Sequence, residues 1–293
     1  MLSPYPFSAG ESPAQARLPS GACDCHLHVY DSRVAAVAGA RLQPPSASIE
    51  DYRRIQARMG TMRSVLVTPS TYGADNSLML AALAQLGTQG RGVAVITGDE
   101  SDAHLRQLHE LGVRGVRINL SLGTIHDVGS IEQIAHRIAP LGWHLQLLMP
   151  VEQLLAMGPV LRQLPTDLVF DHFGRITPGQ CAVHPAHDLL LELLASGHAW
   201  VKLSGGYLVS ACSTVEDPGL EQLARSFMDA APERVVWGSD WPHATASAGL
   251  QPMPDDARQI DLLAQWAGDA QRLRQILVLN PERLYGFAPA TSV

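Results

Sequence analysis

Cysteine is scarce in this chain: its 293 residues include 4, at positions 23, 25, 181 and 212. So few and so scattered, they exclude a disulfide framework and suit a reducing compartment. Aromatic residues make up only 5%, and no apolar run approaches the roughly 20 residues a bilayer-crossing helix needs, so no membrane partner is expected. The opening Met1-Leu2-Ser3-Pro4-Tyr5-Pro6-Phe7 has neither a basic stretch nor a continuous apolar core, which argues against a secretory signal and for a cytoplasmic location. Basic charge is also in deficit. With 21 Lys and Arg against 28 Asp and Glu, the formal charge of −7 excludes a broad nucleic-acid footprint, yet leaves room for a few arginines focused on a small anion. No strand-like run is followed by Gly-x-Gly-x-x-Gly or a P-loop, so the signature of an open doubly wound sheet is missing too.

What is present is a 46% apolar, 17% charged composition on a length that suits one (β/α)8 barrel of about 250 residues with extensions. A Pro/Ser/Gly-rich leader, 1–21, precedes a single barrel domain, 22–293. Short β-rich runs predict strands over 22–28, 64–68, 92–97, 115–120, 143–149, 168–172, 200–204 and 235–240. Helical spacing separates them, as in Ile49, Tyr52, Ile55 and Met59, or Leu220, Leu223, Ala224 and Phe227. Ser130-Ile131-Glu132-Gln133 has the order of a capping box and predicts a helix start at Ser130. Gly112 is placed to stop the helix before strand four, and Pro252-Met253-Pro254 reads as a loop before a late helix.

Chemistry concentrates at two motifs, Asp24-Cys25-His26-Leu27-His28 and Trp237-Gly238-Ser239-Asp240-Trp241-Pro242-His243. Residues two apart on a strand share a face, so His26 and His28 converge, while Cys23 and Cys25 are expected on the opposite face, against helices. In a parallel barrel the strand C-termini gather at one rim, where active sites form. That rim would collect His26 and His28, then Ser70, Thr71 and Tyr72, Arg117 and Asn119 on strand four, His172 on strand six, Tyr207 after strand seven and Asp240 on strand eight. Each alone is ordinary, since a buried histidine is more often a packed one than a ligand. Their coincidence at one rim is what points to a site. Lys202 falls on an inward-facing register as a structural charge, His144 lies too early on its strand to reach the rim, and His126, Arg175 and His243 on strand-end loops are reserve candidates.

These motifs, with Phe170-Asp171-His172-Phe173-Gly174, resemble the amidohydrolase superfamily, at the expected strands over nearly the whole chain. Pro69-Ser70-Thr71-Tyr72-Gly73-Ala74-Asp75-Asn76, Gly112-Val113-Arg114-Gly115-Val116-Arg117-Ile118-Asn119 and Lys202-Leu203-Ser204-Gly205 narrow the resemblance to the lactonase branch that includes 2-pyrone-4,6-dicarboxylate lactonase and the aldarolactone isomerases. Two-metal members of the superfamily carry a carboxylated lysine or glutamate at the end of strand four and a histidine at the end of strand five; this chain offers Arg117 and Gln146, so a binuclear centre is not expected. A single zinc on His26, His28 and Asp240, with His172 nearby, remains chemically sensible. The Arg117 guanidinium weighs against it, and the resemblance implies chemistry that requires no cofactor.

The expected reaction is hydrolysis of a small carboxylated or polyhydroxylated lactone. Asp240 would take a proton from water, and His26, His28 and His172 would donate to the lactone carbonyl oxygen. Arg117 would pair with a substrate carboxylate, and Ser70, Thr71, Tyr72, Asn119 and Tyr207 would meet the remaining oxygens. The pyrone lactonase pattern implies further arginines beside strands four and seven, yet 121–126 and 205–208 contain none, which disfavours a doubly anionic pyrone. Asp240 stands where the isomerase carries asparagine, which favours hydrolysis over isomerisation. The rival readings are a mononuclear zinc hydrolase or decarboxylase, a sugar-acid lactone isomerase and a non-catalytic sugar-acid binding protein.

Overall fold

In the computed structural model, which describes residues 4–121 and 125–290, the eight expected strands all form. They are β1 (Cys23–Leu27), β2 (Arg63–Val67), β3 (Gly90–Ala94), β4 (Val113–Asn119), β5 (His144–Leu148), β6 (Leu168–Phe170), β7 (Ala199–Leu203) and β8 (Val235–Trp237). Every neighbouring pair is parallel, in the order β1 to β8, and helices fill the connections. This is a (β/α)8 barrel. It closes just beyond β8, where Asp240 N donates to His26 O at 2.8 Å and His28 N donates to Trp241 O at 2.8 Å. Gly238 makes that approach feasible, since a Cβ there would lie 2.5 Å from His26 Cβ and 2.7 Å from His26 N.

Local chemistry explains most boundaries. The helix Ile49–Met59 begins on a capping box in which Ser48 Oγ accepts from Asp51 N and Asp51 Oδ2 accepts from Ser48 N, and it buries Ile49, Tyr52, Ile55 and Met59. Gly112, at φ 100°, ends the turn after the helix Asp102–Glu110, as expected. Pro252-Met253-Pro254 is irregular and precedes the helix Asp256–Ala267. The helix expected to start at Ser130 instead spans Gly129–Ile138. Asp127 Oδ1 accepts from Ser130 N at 3.0 Å and from Ser130 Oγ at 2.9 Å, so the upstream carboxylate, a stronger acceptor than a hydroxyl, takes over the end of that helix.

Two further expectations are corrected. The register of β1 against β2 shifts between Asp24 and Leu27, and this bulge breaks the strict alternation. Asp24 turns outward, where it accepts from Tyr52 OH at 3.0 Å and Ser239 Oγ at 2.6 Å. Cys23 and Cys25 face the barrel interior, packed with Val65, Val67, Val93, Val169, Trp200 and Val236 above Tyr285 and Phe287, rather than against the helical layer. Likewise β6 and β8 end earlier than expected. His172 and Asp240 stand past them with φ of 52° and 67°, a backbone that a strand does not continue.

The N-terminal segment is tied to the β8 side of the barrel. Pro6 O accepts from Trp241 Nε1 at 3.0 Å, and Arg58 holds Ser8, Ala9 and Ser12 while pairing with Asp255 at 2.7 Å. Residues 1–3, at the start of the expected leader, and 291–293, at the end of the expected domain, lie outside the described residues.

His144 opens β5 at the opposite end from the rim, edge-on to Tyr285 with ring centroids 5.2 Å apart. Burial, aided by Lys202, pushes its imidazole down to about 3, so the folded protein resists a proton that the unfolded chain accepts near pH 6.5. Stability attributable to this residue is therefore intact above pH 6.5 and is lost, by about 1.4 kcal/mol for each pH unit, on acidification toward pH 3. His144→Phe is expected to flatten the acid limb of stability measured by urea unfolding from pH 7 to pH 4. Parallel curves for the two proteins would contradict this.

Candidate active site

At the rim, three imidazoles surround one carboxylate. Asp240 Oδ1 lies 3.5 Å from His26 Nε2, 3.9 Å from His28 Nε2 and 3.8 Å from His172 Nε2. Its other oxygen, Oδ2, accepts from Tyr207 OH at 2.7 Å. Burial works to raise the Asp240 carboxyl, but His172, His26, His28 and His243 more than offset it, so the group sits below its ordinary value and is ionised at neutral pH. Burial lowers all three neighbouring imidazoles, His28 to about 4. The result is a carboxylate facing neutral rings, the arrangement a general base requires.

A cavity of about 380 Å³ opens over this cluster. His28, His172 and Asp240 form its floor, and Ser70, Thr71, Arg117, Asn119 and Tyr207 line its wall. His26 lies behind His28, fully buried, with the two Nε2 atoms 3.3 Å apart. Tyr72 is not brought to the cavity. Its hydroxyl is held by Asp31, donating to Asp31 O at 3.0 Å and accepting from Asp31 N at 2.9 Å, so it fixes the loop after β1 from behind. Two wall hydroxyls are already engaged: Thr71 Oγ1 donates to Leu42 O, and Ser70 Oγ accepts from Asn119 Nδ2 at 2.8 Å.

Of the reserve candidates, Arg175 lines the cavity and the other two do not line its wall. His126 Nε2 contacts Ile96 O, and His243 is buried with Nε2 at 3.1 and 3.2 Å from the two Asp256 carboxylate oxygens. Burial would lower the His243 imidazole, but Asp256 outweighs it and raises its affinity for a proton. Arg175 reaches the cavity by an unusual path. His172, Phe173, Gly174 and Arg175 have φ of 52°, 56°, 62° and 61°, a left-handed turn that brings residues i and i+3 to one face. Such a backbone costs about 1–2 kcal/mol for each non-glycine residue, strain of the kind that functional sites hold.

Sequence reasoning missed Tyr30, Arg41, Leu42, Thr245 and Gln251, all in the cavity wall. Tyr30 could have been found by extending the two-residue alternation from His26 and His28. Arg41, Thr245 and Gln251 sit on loops, where no periodicity marks direction. Arg41 and Arg175 join Arg117 at the cavity, so the shortage of arginines inferred from 121–126 and 205–208 is corrected. Within the first of these stretches, Leu122, Gly123 and Thr124 lie outside the described residues.

Beneath the rim lies a charged layer that the motifs only hinted at. Asp171, fully buried, has Oδ2 accepting from Gln146 Nε2 at 2.9 Å and from Arg117 Nε at 3.4 Å. Its Oδ1 lies 3.2 Å from His26 Nδ1 and 3.6 Å from Lys202 Nζ. Lys202, the only lysine in the chain, is fully buried and donates to Gln146 Oε1 at 2.6 Å and toward His26 Nδ1 at 3.2 Å. Burial works to raise Asp171, but His26, Lys202 and Arg117 more than offset it, and its carboxyl is held well below the usual range.

The donor atoms His26 Nε2, His28 Nε2 and Asp240 Oδ1 are separated by 3.3, 3.5 and 3.9 Å, close to the spacing a tetrahedral ion at ~2.0–2.1 Å would impose. The layer behind them fits a metal only in part. A ligating histidine donates its second ring N–H to an acceptor. His28 does so, Nδ1 to Val67 O at 2.7 Å, whereas His26 Nδ1 lies 3.2 Å from both the Lys202 ammonium and Asp171 Oδ1.

A family model described as amidohydrolase matches residues 23–287, and the chain belongs to that family. It is 33% identical to a 2-pyrone-4,6-dicarboxylate hydrolase of Comamonas testosteroni over 289 residues, 94% of each chain. It is 29% identical to a D-galactarolactone isomerase of Agrobacterium fabrum over 96% of each. Among solved structures, a probable 2-pyrone-4,6-dicarboxylic acid hydrolase from Acinetobacter baumannii, with citric acid bound, superposes with a TM-score of 0.80 at 27% identity, covering 91% of this chain and 100% of that one.

Proposed function

We propose that the cavity hydrolyses a small carboxylated lactone, with Asp240 as general base and no metal required. The observation that carries this reading is the ionised Asp240 carboxylate with Oδ1 facing three imidazole Nε2 atoms and Oδ2 held by Tyr207. Asp240 takes a proton from a water whose oxygen bonds to the lactone carbonyl carbon. Charge builds on the carbonyl oxygen beside the imidazoles, the ring C–O bond breaks, and the ring oxygen takes up the proton. The named relatives support the class of substrate, a lactone opened by hydrolysis or rearranged by isomerisation.

Three guanidiniums, Arg41, Arg117 and Arg175, converge on the cavity and support an anionic substrate. Arg117, on β4, lines the cavity while its Nε reaches Asp171 Oδ2 at 3.4 Å, and a guanidinium presents paired donors that match a carboxylate. Arg117→Met is expected to raise KM for a carboxylated lactone by about 10- to 100-fold with a smaller change in kcat, the loss of a charge-assisted contact, while neutral lactones are spared. Equal losses on neutral and anionic lactones would contradict that role.

The reaction class is tested by presenting metal-stripped protein with a panel of neutral and carboxylated lactones and following proton release. Ring opening acidifies the solution. Acidification with at least one carboxylated member supports the proposal, whereas turnover restored only by added zinc favours a mononuclear metal hydrolase. The isomerase relative makes a second outcome concrete: consumption of the lactone with no proton released.

A further inference from the structure

We infer that Lys202 is a positioning residue that sets the hydrogen-bond direction through His26 and His28, making His26 a donor and His28 an acceptor and disfavouring a metal between them. The inference rests on the lactonase reading only for its consequence in catalysis. Its physical basis is a chain of four groups. Lys202 Nζ lies 3.2 Å from His26 Nδ1, His26 Nε2 lies 3.3 Å from His28 Nε2, and His28 Nδ1 lies 2.7 Å from Val67 O. The chain starts at an ammonium, which only donates, and ends at a carbonyl, which only accepts.

Those two ends leave one assignment for neutral rings. Val67 O requires a hydrogen on His28 Nδ1, so His28 Nε2 is a lone pair. Two lone pairs cannot face each other at 3.3 Å, so His26 Nε2 carries the hydrogen and His26 Nδ1 accepts from Lys202. The competing partner of His26 Nδ1 is Asp171 Oδ1, also at 3.2 Å, but a hydrogen given to it would leave both Nε2 atoms as lone pairs facing each other at 3.3 Å. Gln146 closes the layer consistently, its Oε1 accepting from Lys202 and its Nε2 donating to Asp171.

Two consequences follow for the site above. His28, expected from sequence to donate to the lactone carbonyl, presents a lone pair and accepts a hydrogen from water or from His26, which lies behind it. A metal on His26 Nε2 would need the hydrogen moved to Nδ1, directly against the Lys202 ammonium. Removing that ammonium leaves Asp171 Oδ1, 3.2 Å away, as the partner for a hydrogen on His26 Nδ1. The second ring nitrogen then has the acceptor a metal ligand needs.

The test uses the full chain, labelled with ¹⁵N at histidine and stripped of metal, with His26 and His28 signals assigned by single His→Gln replacements. Long-range ¹H–¹⁵N correlation is expected to show His26 protonated at Nε2 and His28 at Nδ1. In parallel, wild type and Lys202→Met are equilibrated with zinc and desalted. Wild type is expected to retain none, and the variant about one zinc per chain with His26 switched to the Nδ1–H tautomer. His26 protonated at Nδ1 in the wild type, or equal zinc in the two proteins, would overturn the inference. If Lys202→Met does not fold, the wild-type spectrum decides. Neither readout involves turnover, so a protein that opens no lactone would sink the proposed function and leave this assignment standing.

Discussion

Asp240→Asn is expected to lower kcat by about 10³-fold, within the 10²- to 10⁴-fold range of general-base contributions, while leaving the fold and substrate affinity nearly unchanged. Asparagine fills the same volume, so the cavity floor keeps its shape and the barrel closure through Asp240 N to His26 O is untouched. Tyr207 OH can still donate to the amide oxygen in place of Asp240 Oδ2. What the amide cannot do is hold a proton taken from water. The measurement is kcat and KM on the first lactone found to turn over, together with the unfolding midpoint of the variant. A kcat within tenfold of wild type would remove Asp240 from the role of base.

Asp171→Asn is expected to destabilise the folded state by about 3–5 kcal/mol, the usual loss when one member of a buried ionic network is removed. Asp171 is the only carboxylate in contact with the two buried cations below the rim among the described residues, Arg117 Nε at 3.4 Å and Lys202 Nζ at 3.6 Å. Lys202 is fully buried, so its ammonium cannot turn to water when the charge is deleted. Because the folded-state carboxyl is held far below its ordinary value, its contribution is complete above the unfolded value near 4 and declines only at strongly acidic pH. Equilibrium urea unfolding at pH 7 measures the loss. A change under 1 kcal/mol would mean that Lys202 and Arg117 do not depend on this acid.

Much of the architecture was legible because most strands announce themselves by a short apolar run between helical repeats, as in Ser64-Val65-Leu66-Val67 before the helix Ser77–Leu86. The convergence of His26, His28, His172 and Asp240 was legible for a related reason: strand C-termini share one rim, so motifs far apart in sequence meet there. Periodicity fails where the backbone leaves its ideal form. The bulge in β1 reversed the expected direction of Cys23 and Cys25, and the left-handed turn from His172 carried Arg175 into the cavity, a conformation that three non-glycine residues conceal. Arg41, Thr245 and Gln251 reach the site from loops, whose course depends on tertiary packing. Lys202 was placed inside the barrel by alternation, but its hydrogen bond to His26 depends on how β7 and β1 face each other across the interior, which no local pattern encodes.

Water activated by Asp240, rather than a bound metal or an internal rearrangement, is the step on which the account depends. Metal-stripped protein turning over a carboxylated lactone in H₂¹⁸O, with the product analysed by mass spectrometry, tests it most directly. The account predicts an open acid bearing ¹⁸O in its new carboxylate, formed at the same rate with or without added zinc. An unlabelled ring-isomeric lactone, or label that enters only when zinc is restored, would contradict it.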